Sequence, residues 1–74
     1  MITVYGQPGC GACRATNMYL NRHGIDHLEV DVSVDPAARA YVERLGYSSL
    51  PVVVAGAEHW SGMRPDRLLG LKGG

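Results

Sequence analysis

The chain has 74 residues, 46% hydrophobic and 19% charged, with seven basic residues balancing seven acidic ones. These values exclude a membrane span, which needs about 18 or more consecutive apolar residues, and a basic patch able to neutralise the phosphates of a nucleic acid. They fit one small domain, residues 1–74, whose limited core leaves it marginally stable.

Met1 leads directly into "ITVYG". No basic n-region, apolar h-region or small-residue cleavage site stands there, so a cytoplasmic location is expected. Ile2 to Tyr5 are β-branched and aromatic, and Gly6 and Pro8 follow, which predicts a strand ending in a loop. That loop carries the chain's two cysteines in "QPGCGACRAT". From about Gly11 to His23, Thr16, Tyr19 and Leu20 recur at helical spacing, and Gly24 supplies a stop. Leu28, Val30 and Val32 alternate with His27, Glu29 and Asp31, the period of a strand with one face more buried than the other. Strand, helix and strand together make a βαβ unit with parallel strands.

Asp35-Pro36 is a helix start, a side-chain oxygen at the N-cap followed by proline in the first turn. Ala38, Tyr41, Val42 and Leu45 form one apolar stripe closed by Gly46. "PVVV", residues 51–54, reads as a strand with proline at its tolerated first position. Ala55-Gly56-Ala57 turns it into a second short strand, Glu58 to Ser61. Pro65 and Asp66 open a last helix through Leu68, Leu69 and Leu71, after which "KGG" frays. The order is βαβαββα, an α/β fold with a four-stranded mixed sheet and three helices. Both cysteines lie at the C-terminal end of the first strand, the edge where such sheets place their sites.

Cys10 and Cys13 are three apart at a helix start, with about 5–6 Å expected between their Cβ atoms, so the pair can open and close with little backbone movement. In a reducing compartment a structural disulfide is disfavoured, and a loop this short would constrain almost nothing. Cys10, at the first turn, meets unpaired N–H groups and the positive helix end, which lower its pKa from about 8.5 and favour attack on a substrate disulfide. Cys13, one turn inside, would resolve the mixed disulfide. All seven acids lie at or beyond Asp26 while Arg14 and Arg22 precede it, so the neighbourhood is mildly electropositive. A metal site is the competing use. Cys10, Cys13, His23 and His27 form C-x2-C-x9-H-x3-H, but the middle gap is short of a zinc finger's and Gly24 separates the histidines. His23 is more simply a partner of the helix dipole, His27 a strand residue and His59 a hairpin residue. From the residues alone Leu50-Pro51 is a trans peptide opening a strand.

Taken together, "ITVYGQPGCGAC", "SSLPVVVAG" and "HWSGMRPDRL" resemble the NrdH-redoxins, glutaredoxin-shaped proteins that behave like thioredoxins. The last segment is far more specific than C-x-x-C alone. The resemblance implies a thioredoxin fold with Pro51 cis against the dithiol and Leu50 offering its backbone to a substrate segment. It implies a redox-active Cys10–Cys13 disulfide and no bound cofactor, with NADPH used indirectly through thioredoxin reductase. It further implies that the reduced form reduces the large subunit of a class I (Ib) ribonucleotide reductase. Trp60, Ser61, Gly62, Arg64 and Pro65 would belong to the segment that replaces the glutathione-holding region of glutaredoxins, with Trp60 either in the core or on the partner.

Three positions depart from the family pattern. Gly11-Ala12 replaces a larger dipeptide, Gln7 stands where lysine is common, and Met63 replaces a phenylalanine. A monomer is expected for a domain that presents one edge to successive large partners. The alternatives are a glutathione-dependent glutaredoxin, which the lack of a cationic cluster for two carboxylates disfavours, and a metal-binding or adaptor module using Cys10 and Cys13 as ligands.

Overall fold

The computed structural model describes residues 1–71; the frayed "KGG" expected at the C-terminus lies outside them. Seven elements follow in chain order: β1 (Ile2–Gly6), α1 (Gly11–Arg22), β2 (His27–Asp31), α2 (Pro36–Arg44), β3 (Val52–Ala55), β4 (Glu58–Ser61) and α3 (Pro65–Leu68). The sheet order is β2-β1-β3-β4. β1 runs parallel to β2, with Ile2 opposite His27 and Gly6 opposite Asp31, and antiparallel to β3, with Tyr5 opposite Val52. β4 returns antiparallel to β3, pairing Trp60 with Val53.

Period-2 alternation divides this sheet into two packed faces. Ile2, Val4, Val53 and Trp60 point to one face, where Leu20 of α1 and Leu68 of α3 meet them. Val52 points to the other, where it packs with Val32 and with Val42 of α2, flanked by Tyr5, Ala38 and Leu45. The apolar stripe of α2 is therefore as the spacing predicts. Thr16 is the fully buried polar side chain of α1, and its hydroxyl is satisfied by donating to the Ala12 carbonyl at 2.9 Å.

The helix ends follow from local chemistry. Asp35 caps α2, its carboxylate accepting the Ala38 N–H at 3.0 Å with Pro36 just inside, a cap worth about 1 kcal/mol. α1 stops at Gly24, whose φ of +65° is a left-handed conformation that L side chains rarely adopt. Its N–H donates to Asn21 and that of Ile25 to Leu20, so the last carbonyls are paired while Ile25 and Leu20 share the core. α2 closes with the same pair of bonds, from Gly46 to Glu43 and from Tyr47 to Val42.

Two expectations need correction. α3 ends at Leu68 rather than running through Leu71: Leu68 is its one buried residue, Leu69 faces solvent, and the Gly70 N–H closes a turn onto the Arg67 carbonyl. The alternating apolar face of β2 is buried only at its far end. Leu28 is 53% exposed, because β2 is an edge strand and α2 covers the sheet beside Val32 and Val52. His27, on the other face, is enclosed instead. Its Nδ1 lies 3.0 Å from the Ile25 carbonyl oxygen and its Nε2 3.0 Å from Glu29 Oε2.

Candidate active site

The loop from Gln7 delivers Cys10 to the N-cap of α1 with extended backbone, φ −97° and ψ 106°. Its Sγ accepts the Cys13 N–H at 3.1 Å and its carbonyl accepts the Arg14 N–H at 3.1 Å, so Cys10 caps the helix with sulfur where serine or aspartate would use oxygen. No acidic residue occupies the first turn to offset the positive helix end. The two cysteines form a disulfide with Cα atoms 5.3 Å apart. Cys10 is half-buried and Cys13 is 4% exposed, so the sulfurs differ in access although they share one turn.

Gly6 makes that enclosure possible, a role beyond the strand end that its place in the sequence predicts. A Cβ there would lie 2.9 Å from Cys13 Sγ and 3.0 Å from Cys13 Cβ, closer than non-bonded atoms tolerate. The available signal was a glycine at the point where the strand feeds a C-x-x-C helix.

Continuing the β1–β3 register by one residue puts Pro51 opposite Gly6. The Leu50–Pro51 peptide is cis, as the resemblance implies and against the trans default. Pro51 is fully buried, whereas Leu50 shares with Cys10 and Gln7 a groove of about 290 Å³ beside α2.

The segment after β4 fastens this loop. Ser61 Oγ donates to the Ser49 carbonyl at 2.9 Å and the Gly62 N–H to the Pro51 carbonyl at 2.8 Å. The Tyr47 hydroxyl reaches His59 across the same gap, 2.8 Å from Nδ1. Trp60 is 3% exposed and belongs to the core, with Met63 packed against that cluster and the Arg67 guanidinium 5.3 Å above its ring. Arg64 sits at the exposed start of α3, where Pro65 follows. It grips Asp66 through two bonds of 3.1 and 2.9 Å, and that grip holds the Asp66 carboxyl below its ordinary value. Cys10, Cys13, Leu50 and Pro51 thus gather at one edge of the sheet, Ser61 and Gly62 brace them, Trp60 lies beneath, and Arg64 and Pro65 lie outward along α3.

The cysteine–histidine pattern does not gather. His23 stacks on Tyr19 with ring centroids 4.2 Å apart, and His27 is engaged by Ile25 and Glu29. Among the described residues no cluster of three or more His, Cys, Asp or Glu is placed to hold a metal ion. No helix among them is long and apolar enough to cross a membrane.

Comparison with known proteins agrees with this geometry. Residues 2–60 match the glutaredoxin family. The chain is 37% identical over 67 residues to the glutaredoxin-like protein NrdH of Escherichia coli (strain K12), covering 90% of this chain and 83% of that one. It is 35% identical over 71 residues to the gene 56 protein of Mycobacterium phage D29, covering 90% of this chain and 77% of the phage protein. Among solved structures, the glutaredoxin-like NrdH-redoxin from Escherichia coli, described by a thioredoxin-like activity profile, superposes with a TM-score of 0.92 at 37% identity, over 95% of this chain and 92% of that one. With the fold, the C-x-x-C pair at disulfide distance and similarity along nearly the whole chain, the protein belongs to the glutaredoxin family, among its NrdH-like thiol–disulfide oxidoreductases.

Proposed function

We propose that the protein is a cytoplasmic, monomeric, single-domain dithiol electron donor, reduced by NADPH through thioredoxin reductase and delivering its electrons to the large subunit of a class I (Ib) ribonucleotide reductase. The observation that carries this reading is the asymmetry of the two sulfurs. Cys10 is accessible at a helix N-cap and accepts an amide N–H, while Cys13 is enclosed beneath it. Cys10 as thiolate attacks one sulfur of the substrate disulfide, forming a mixed disulfide and releasing the other sulfur as a thiolate. Cys13 gives its proton to solvent and attacks Cys10 Sγ, closing the Cys10–Cys13 bond and freeing the second substrate sulfur. Two electrons pass to the substrate. The reductase dithiol reverses both steps and is itself regenerated by NADPH.

The Leu50 backbone beside the cis Pro51 offers a short strand edge to a substrate segment. Ser61 and Gly62 hold that edge in place, Trp60 supports it from the core, and Arg64 and Pro65 extend the partner-facing rim. Against glutathione as the reductant, the groove beside Cys10 contains Arg39, whose guanidinium is already 3.7 Å from Glu43, so its charge is locally balanced.

The test is a thiol count on oxidised protein incubated with NADPH and thioredoxin reductase, and in parallel with reduced glutathione and glutathione reductase. Rapid appearance of two thiols in the first reaction alone is expected. Recovery with glutathione alone makes the protein a glutathione-dependent glutaredoxin, and recovery with neither points to the ligand or adaptor role. The Cys13→Ser variant is expected to accumulate the mixed disulfide with oxidised ribonucleotide reductase; accumulation by Cys10→Ser instead would reverse the two roles.

A further inference from the structure

On the α1 face of the sheet an open groove of about 670 Å³ runs between α1 and the edge strand β2, and Gly6, Cys13, Asn17, Glu29 and Asp31 are among its lining residues. Asn17 follows Cys13 by one helical turn. Side chains on an α-helix lean toward its N-terminus, so a residue four positions on covers the turn that carries the earlier one. That spacing places Asn17 over the turn that carries Cys13, in the groove both share with β2. Its Oδ1 is buried and has no hydrogen-bond partner among the described residues, a costly state for an amide oxygen and an uncommon one.

Two donors on the same stretch of α1 are engaged elsewhere. The Cys13 N–H is taken by Cys10 Sγ and the Thr16 hydroxyl by the Ala12 carbonyl. In the disulfide, Cys13 sulfur carries no proton and has nothing to donate. Reduction changes that. A dithiol donor supplies two electrons and becomes a disulfide, the Cys10–Cys13 bond breaks, and the Cys13 sulfur takes up a proton. The new S–H is a donor, weak but real, formed one turn from an unpaired acceptor.

We infer that Asn17 Oδ1 accepts the Cys13 S–H in the reduced protein and thereby biases the dithiol–disulfide equilibrium toward the dithiol. Asn17 is a positioning residue, taking neither electron nor proton. Its amide oxygen is left unpaired when the disulfide closes and paired when it opens, so the cost falls on the oxidised form alone. The same bond keeps Cys13 a thiol while Cys10, with the amide N–H, holds the negative charge. The inference rests on the dithiol chemistry above but not on the identity of the reductase or the substrate, and its test uses glutathione only as a redox buffer, so failure of the partner assignment leaves it standing.

The experiment equilibrates wild type, Asn17→Leu and Asn17→Asp with mixtures of reduced and oxidised glutathione, quenches with acid and counts thiols. Leucine matches asparagine in size and removes the acceptor; aspartate keeps an acceptor oxygen. Asn17→Leu is expected to move the equilibrium about 3- to 10-fold toward the disulfide, the range of one net hydrogen bond, which is about 15–30 mV for a two-electron couple. Asn17→Asp is expected to stay at the wild-type position or beyond it on the dithiol side. Urea unfolding gives the second readout: Asn17→Leu should stabilise the oxidised form relative to the reduced one. An equilibrium for Asn17→Leu within about twofold of wild type, a shift by Asn17→Asp in the same direction as Asn17→Leu, or equal stability changes in both redox forms would each overturn the inference.

Discussion

α1 and α3 stand on the same face of the sheet and share one core, yet they are held in opposite ways. α1 has 12 residues, a side-chain N-cap, buried Cys13, Thr16 and Leu20, and a paired C-terminus at Gly24. α3 has four residues, no side-chain cap and one buried anchor, Leu68. Capping at both ends and three buried positions support the first along its whole length. A single helical turn cannot form on its own, since nucleation costs more than one turn returns; the second exists because Leu68 is docked and Arg67 lies over Trp60. The reactive sulfurs are thus mounted on the helix with several anchors, and the segment that braces the Leu50–Pro51 loop leads into the one with a single buried anchor.

The largest effects should come from cutting each helix at its anchor. Leu20→Ala opens a cavity in a fully buried site, and a loss of about 2–5 kcal/mol in global unfolding is expected from urea titration. Leu68 is as deeply buried, but it anchors a helix of only four residues. Leu68→Ala is therefore expected to lower global stability less while the α3 amides lose their exchange protection. Trp60, the chain's one tryptophan, should shift its emission to the red as its cover leaves. Equal global losses in the two variants, with α3 still protected, would remove the distinction between the helices.

A smaller effect should separate the redox forms. Gly6→Ala places a methyl 2.9 Å from Cys13 Sγ. In the disulfide that sulfur is tied to Cys10 and cannot turn aside, so the oxidised form should lose about 1–3 kcal/mol to overpacking. The reduced form, whose Cys13 side chain can rotate, should lose less. Parallel urea titrations check this; the same loss in both forms would place the clash on the Cys13 Cβ alone and free the sulfur of any role.

This contrast also explains what was legible in the sequence. α1 and α2 could be read almost to the residue, because caps, apolar spacing and terminal glycines are local signals, with Asp35, Gly24 and Gly46 each acting within one turn. The cysteine pair was legible for the same reason. What escaped depends on distant pairs. Leu28 looked like core until β2 took an edge, and Leu71 looked helical until Gly70 closed a turn after one docked leucine. The weight on Gly6 arises from a sulfur seven positions later, and the bonds from Ser61 to Ser49 and from Gly62 to Pro51 cross the hairpin. The unpaired Asn17 oxygen has no sequence signature, since on the helical wheel it is one more polar residue beside the core face.

The finest test lies at the start of α3, where Arg64 and Asp66 form a forked pair in full solvent. The Asp66 carboxyl sits below its ordinary 3.8, first because Arg64 donates to it. A carboxylate whose pKa falls on folding binds fewer protons in the native state, so it adds stability above its unfolded pKa and loses that stability as pH drops through the folded value. Asp66→Asn should then melt slightly below wild type at pH 7, with the gap narrowing from about pH 4 downward and closing in stronger acid. Salt should narrow it too, because exposed pairs are screened. Since α3 depends on docking, the shift should be clearer in the Trp60 signal than in global unfolding. A gap unchanged between pH 7 and strong acid would assign the loss to something other than the ion pair and leave Leu68 and Arg67 as the tethers of the segment.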